Sequence, residues 1–280
     1  MKLTGNLLIS SILLSICFFS LTKAQNKFSV NTSLSVIVGN FSDNSHRISY
    51  YLYGGVRYQA QDYYLSLNLP LVFNSSGSFT QLGGMYIPND DDNNSVGEGL
   101  HGSGNHGSMM DDGHGMFPLN AGIGDMYLFG SYNILKETTS FPGIFTDGFV
   151  KFPTASSSLN IGTGEFDFNL AVSARKFINT FSFYVQIGYL FLGNADQSNI
   201  KNPITVSVGI GNSFGNGNHL LMLGYDSYST IVAGFASPKQ ISLGYTYLIS
   251  SKLSYLMIGS VGLNNSTSDY TLSAGFNFGI

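Results

Sequence analysis

Charge is what this sequence has least of. Lys, Arg, Asp and Glu make up 10% of 280 residues, 12 basic and 16 acidic, where a soluble domain carries roughly 25%. The formal net charge of −4, with no cluster of Lys and Arg, excludes a basic nucleic-acid binder that tracks phosphates. The single cysteine, Cys17, excludes a disulfide framework and a cysteine-ligated zinc site. Tryptophan is absent. Past residue 24 no run approaches the ~18–20 consecutive apolar residues of a membrane-spanning helix. Glycine (34), Phe (22) and Tyr (17) are abundant instead, which argues against disorder.

Residues 1–24 carry the pattern of a secretory signal peptide, cleaved on export. Lys2 supplies the positive start, Leu7 to Leu21 the apolar run, and Thr22-Lys23-Ala24 the small-residue cleavage site before Gln25. Ile16 stands before Cys17 where a lipoprotein would have a small residue. An exported chain that is poor in charge and rich in Gly and Tyr, without a membrane helix, points to an outer-membrane β-barrel. A secreted β-sandwich or adhesin is the competing class.

Residues 25–280 resolve into segments of about ten residues with period-two alternation, the signature of outer-membrane strands. In the last, Tyr270, Leu272, Ala274, Phe276, Phe278 and Ile280 share one face, and Thr271, Ser273, Gly275, Asn277 and Gly279 the other. Ile204, Val206, Val208 and Ile210 alternate with Thr205, Ser207, Gly209 and Gly211. Helical spacing does not explain these runs, and each glycine would cost a helix interior ~1 kcal/mol. The small and polar faces lack the Lys and Glu that solvate an ordinary sheet, which favours lipid outside and a wet or packed lumen inside. The expected fold is all-β: a transmembrane, antiparallel, up-and-down β-barrel of about twelve strands, with ten or fourteen as alternatives. The twelve fall at 28–38, 47–59, 62–72, 122–135, 145–153, 165–177, 181–192, 203–214, 219–229, 239–249, 253–263 and 269–280. Short turns then lie on one rim with both termini, assigned to the periplasm, and longer loops on the other. One connection, 73–121, is expected to be a long extracellular loop rich in Gly, Asn, Asp and Ser, and a loop of that length is functional or disordered.

Gly122-Ile123-Gly124-Asp125, Lys151-Phe152-Pro153-Thr154 and Ile161-Gly162-Thr163-Gly164, with the Asp167 strand after them, form a block over residues 122–175. The block resembles the outer-membrane barrel family named for the meta-cleavage pathway of phenol degradation. That family shows a Gly-Gly-Asp opening, a Lys-(apolar)-Pro-Thr-Gly turn and a Leu-Gly-(Ser/Thr)-Gly-x-x-Asp segment. Ala155 departs from it where Gly is usual. Ile280 departs from the terminal Phe of many outer-membrane barrels but keeps an apolar end for the insertion machinery that reads the C-terminal strand. The resemblance implies a transporter of small, often aromatic or hydrophobic compounds.

Two constellations could carry function. By strand parity Arg57, Asp125, Lys151, Glu165, Asp167, Arg175 and Asp226 point inward, beside Tyr51, Tyr53, Tyr64, Tyr127 and Tyr184. A Lys or Arg in mid-membrane on the lipid face would cost roughly 2–4 kcal/mol. These charges either pair across a packed lumen or line a polar path, with tyrosines as contacts for an aromatic solute. The second constellation is the 100–116 segment, where His101, His106 and His114 accompany Met109, Met110, Asp111, Asp112 and Met116. Imidazole and thioether ligands suit copper or zinc, so this loop is either a surface metal site or a solvated low-complexity segment. His46 and His219 are expected to be lone, solvated residues. Gly211-Asn212-Ser213-Phe214-Gly215 fits the Gly-x-Ser-x-Gly spacing, but it and Gly217 lie at a hairpin and precede no helix, so they form neither a nucleophile elbow nor a phosphate site. An enzyme is not expected, and no cofactor is required. The expected partners are outer-membrane lipid and a small-molecule solute. The functional expectation is an outer-membrane channel or transporter, with a metal-binding barrel and a structural or adhesive barrel as alternatives.

Overall fold

The alternation closes on itself. The computed structural model describes residues 27–40, 46–74, 78–89, 120–156, 161, 164–193 and 200–280. Its strands are β1 (Lys27–Asn40), β2 (His46–Gln59), β3 (Tyr63–Asn74), β4 (Ser78–Leu82) and β5 (Met85–Asn89). They continue as β6 (Asn120–Ile123), β7 (Met126–Leu135), β8 (Gly143–Phe152), β9 (Asp167–Ile178) and β10 (Phe181–Phe191). The last five are β11 (Ile204–Phe214), β12 (His219–Tyr228), β13 (Lys239–Leu248), β14 (Leu253–Gly262) and β15 (Tyr270–Gly279).

All pairings are antiparallel, and thirteen strands form one sheet. β6 and β7 both pair with β3 and act as two halves of one stave, so the ring has twelve staves. The seam is β1 against β15, from Ser29↔Gly279 to Val38↔Tyr270. The β2–β3 pairing completes the circle, which leaves no free edge. The stave number and the strand positions agree with the alternation to within about two residues at most ends.

Short connections gather on the rim that carries the termini, as the alternation requires. Asn179 (φ 55°) makes the β9–β10 turn, and Gly215, Asn216 and Gly217 (φ 61°, 56° and 83°) make β11–β12. Asn and Gly are the residues that tolerate this left-handed backbone. The longer β7–β8 connection is held by Lys176, whose Nζ donates to the carbonyls of Thr138, Thr139 and Phe141 and pairs with Glu137 at 3.3 Å.

The barrel is inverted relative to a soluble protein. On β1, Ser29, Asn31, Ser33 and Ser35 are buried inside, while Phe28, Val30 and Leu34 are exposed outside. β3 exposes Leu65, Leu67, Leu69 and Leu71. Such an exterior is matched to hydrocarbon. Aromatic belts bound it at both rims, where rings of this kind sit at a bilayer interface. Phe28–Tyr58, Tyr58–Tyr63 and Tyr255–Phe276 contacts mark the terminal rim. Phe152–Phe166–Phe168 and Tyr189–Phe191 mark the loop rim. His219, expected to be a lone solvated residue, belongs to the terminal belt. Its ring stacks on Phe214 and Tyr247, and Nδ1 shares a hydrogen bond with the Tyr245 hydroxyl at 2.8 Å.

The expected course of the 73–121 connection needs correction. The 73–121 connection does not run as one outward loop. Residues 73 and 74 finish β3, 120 and 121 begin β6, and 78–89 fold as a hairpin inside the barrel. β4 and β5 pair only with each other, turning at Gly83-Gly84, where Gly83 has φ 59°. A side chain at Gly83 would also strike the Tyr228 hydroxyl, 2.7 Å from an ideal Cβ. The hairpin is apolar on both faces. Phe79, Leu82, Met85, Tyr86 and Ile87 are all buried, so its stable place is the interior.

Candidate functional site in the barrel interior

The hairpin is suspended by side chains from the wall. Tyr51 on β2 donates its hydroxyl to the Phe79 carbonyl (2.6 Å), and Tyr127 on β7 donates to the Gln81 carbonyl (2.7 Å). Tyr228 on β12 donates to the Leu82 carbonyl (3.0 Å) and accepts from the Gly84 amide (3.2 Å). Gln240 on β13 donates to the Gly84 carbonyl (3.2 Å), and the Ser268 amide donates to the Tyr86 carbonyl (2.8 Å). Tyr53 joins the Gln81 side chain (2.8 Å) and the Tyr86 hydroxyl (2.6 Å). An isolated hairpin leaves its outer amides and carbonyls without strand partners. Here the phenols of several staves supply them, so the backbone can be buried at all. Burial pushes the Tyr86 phenol up to about 12, so it stays neutral and able to donate.

The Lys151 cluster lies towards the loop rim. Lys151, fully buried, pairs with Asp167 at 2.6 Å and with Asp125 at 3.6 Å. Asp125 also accepts from the Ala155 amide (2.9 Å), and Asp167 from the Gly193 amide (3.1 Å). Buried charges need this kind of compensation. The Thr154 hydroxyl donates to the Gly124 carbonyl (3.0 Å) and accepts from the Met126 amide (2.9 Å), bridging the break between β6 and β7. Ser156 pairs with the backbone of Ile123 in both directions. Asp125, Lys151, Thr154 and Asp167, four of the residues that carry the family resemblance, therefore meet in space, and each has a structural task there.

A second cluster lies towards the terminal rim. Asp147 accepts from Ser131 (2.6 Å), Arg175 (2.7 Å), Gln186 (3.1 Å) and Ser173. Arg175 lies over the Phe145 ring at 3.9 Å, with Tyr184 at 5.9 Å, and Arg57 over the Tyr64 ring at 4.0 Å. Such cation–ring contacts contribute about 2 kcal/mol when desolvated. Asp226 accepts from Gln240 (3.1 Å).

Of the twelve inward candidates, eleven lie buried in the interior: Arg57, Asp125, Lys151, Asp167, Arg175, Asp226, Tyr51, Tyr53, Tyr64, Tyr127 and Tyr184. Glu165 does not. It lies before β9, at an exposed bend outside the strand's alternation. The parity reading names neither Asp147 nor Tyr228, although Asp147 is four residues before Lys151 and Tyr228 two after Asp226, on the same faces. The hydroxyls of Tyr51, Tyr53 and Tyr127 serve the hairpin, a task that parity does not reveal. The metal candidates His101, His106, Met109, Met110, Asp111, Asp112, His114 and Met116 lie outside the described residues, as does the 1–24 leader.

A closed barrel of twelve antiparallel staves, apolar outside and polar inside, is the fold of outer-membrane channels. Comparison with solved structures gives the same fold. The chain is similar to an outer-membrane channel from Pseudomonas putida F1, with a TM-score of 0.59 and 9% identity, over 92% of this chain and 97% of that one. It is also similar to the KdgM porin solved with oligogalacturonate, with a TM-score of 0.50 and 9% identity, over 89% and 98% of the two chains. No protein-family model and no curated protein sequence matches the chain. The resemblance of residues 122–175 therefore rests on their motifs alone.

Proposed function

We propose that the chain is an outer-membrane channel for small solutes, in which the β4–β5 hairpin sets the bore. The observation that carries this reading is the hairpin itself, hung inside a closed barrel from hydroxyl and amide groups rather than packed as a continuous strand of the wall. A barrel meant only as an anchor or adhesin has no need of a removable interior element. Each phenol–carbonyl bond contributes only about 0.5–1.5 kcal/mol net, so the hairpin can shift without unfolding the staves.

The solute class favoured is small and aromatic or apolar. Tyr127, Phe129 and Phe149 form an inward ring cluster with centroids 5.6–5.7 Å apart, against which the hairpin turn rests. Ring faces offer offset and edge contacts to an aromatic guest. This agrees with what the phenol-pathway resemblance implies. Export through the 1–24 leader and insertion through the apolar C-terminal strand complete the reading.

Liposome swelling tests it. Vesicles carrying the purified, folded barrel are expected to swell in isotonic benzyl alcohol faster than in arabinose, relative to protein-free vesicles. Rates equal to protein-free vesicles for both solutes would overturn the channel reading. Passage of arabinose without any preference would overturn the solute class alone.

A further inference from the structure

The outer wall carries a notch that the channel reading does not use. It has a volume of about 490 Å³, within the range of small-molecule sites. Across four adjacent staves the outward row reads Leu65, Gly130, Gly148, Leu170, with Gly130 directly opposite Gly148. Two side chains are thus missing side by side from a belt otherwise filled with Leu, Val and Phe. Phe168 and Tyr132 line its flanks. From behind, the wall is sealed by Ser131, Asp147 and Arg175.

Only one of the two glycines is demanded by the wall. A Cβ at Gly148 would sit 2.6 Å from the Asn169 carbonyl oxygen, so the backbone there needs glycine. At Gly130 a Cβ would meet nothing closer than Leu65 Cδ2 at 3.3 Å. The space over Gly130 is therefore not required by protein packing. Its exposed lining is almost wholly apolar, with Asp147 behind it turned inward to Arg175, and it opens onto the face that the barrel presents to hydrocarbon. Tyr63 and Tyr132 are cross-strand partners at the lip nearest the terminal rim, and phenols of this kind mark headgroup level.

We propose that the Gly130–Gly148 notch is a binding site for one acyl chain of a phospholipid in the leaflet on the terminal side. The chain enters beneath Tyr63 and Tyr132 and lies over the glycine pair towards Phe168. The occupant is a lipid because the notch is continuous with the belt that faces lipid. The site is independent of the lumen, so its failure would leave the channel reading untouched.

Native mass spectrometry of the full barrel, loaded from vesicles of palmitoyl-oleoyl-phosphatidylethanolamine, tests the site. Gly130→Leu fills the notch. Gly259→Leu adds the same bulk on the opposite wall, where an ideal Cβ meets nothing within 4 Å. The heat-dependent band shift reports folding of each variant. A lipid adduct is expected on the parent, reduced about tenfold in Gly130→Leu, a loss of ~1.4 kcal/mol, and unchanged in Gly259→Leu. Should Gly130→Leu fail to fold, Leu170→Ala removes one flank of the notch and is expected to weaken the adduct as well. Equal adducts in the parent and in the folded notch variant would overturn the proposal. So would a dimer of barrels that only the notch variant abolishes, since a second copy would then be the occupant.

Discussion

At the residue scale, Lys151 and Asp226 are opposite cases of a buried charge. Lys151 stands between two carboxylates, so Lys151→Met leaves Asp125 and Asp167 facing each other without a cation. Removing one partner of a buried pair costs about 3–5 kcal/mol, which should register as a lower urea midpoint of the folded band. Asp226, among the described residues, has Gln240 but no basic partner. Asp226→Asn keeps the shape and the acceptor oxygen and removes the charge, so the same assay should show equal or higher stability. Tyr86 gives the pH dependence. Its phenol is raised from 10.0 to about 12 in the folded protein, so the neutral form is favoured and its contribution is complete below pH 10. That contribution is lost as pH rises towards 12. Ultraviolet titration should show one late-ionising tyrosine fewer in Tyr86→Phe than in the parent.

Parity along each strand is enough to say which charges turn inward, because a side chain on a strand has only two faces. It does not say which charges meet. Lys151 reaches Asp125 and Asp167 from neighbouring staves because closure fixes the register Tyr127↔Lys151↔Asp167, and register between segments is not written in either segment alone. Glu165 departs from its expected place for a related reason: the alternation ends at the start of β9, two residues after it.

At the element scale, the hairpin carries the functional reading. Its signal is in the sequence, for Gly83-Gly84 lies between Gln81-Leu82 and Met85-Tyr86-Ile87, a two-residue turn between apolar flanks. The length and low complexity of the surrounding connection conceal it. Even a recognised hairpin would not show its location, which depends on Tyr51, Tyr127, Tyr228 and Gln240 converging from staves far apart in sequence. Replacing Tyr51, Tyr127 and Tyr228 together by Phe removes three hydroxyls and no ring. With each bond contributing about 0.5–1.5 kcal/mol, amide exchange across 78–89 should quicken by one to three orders of magnitude while the staves stay protected. Equal acceleration in the staves would mean that the phenols support the barrel rather than the hairpin.

At the scale of the whole molecule, the architecture is the most legible part. Twelve alternating segments, tight turns with Asn and Gly, and scarce charge all follow from one requirement: every backbone group must be paired while one face of every strand meets lipid. The departures from regularity are the hidden part. The break at Gly124-Asp125 depends on Thr154 and Ser156 bridging it, and the lumen's contents depend on a segment that the strand pattern skips. The central claim is that this lumen conducts and that the hairpin limits it. Single-channel conductance in planar bilayers tests that most directly, with the parent barrel compared with a variant in which residues 78–89 are replaced by a short Gly-Ser linker. The account predicts a small, fluctuating conductance for the parent and a steady conductance several times larger for the variant. Two folded barrels with the same conductance, or none in either, would contradict it.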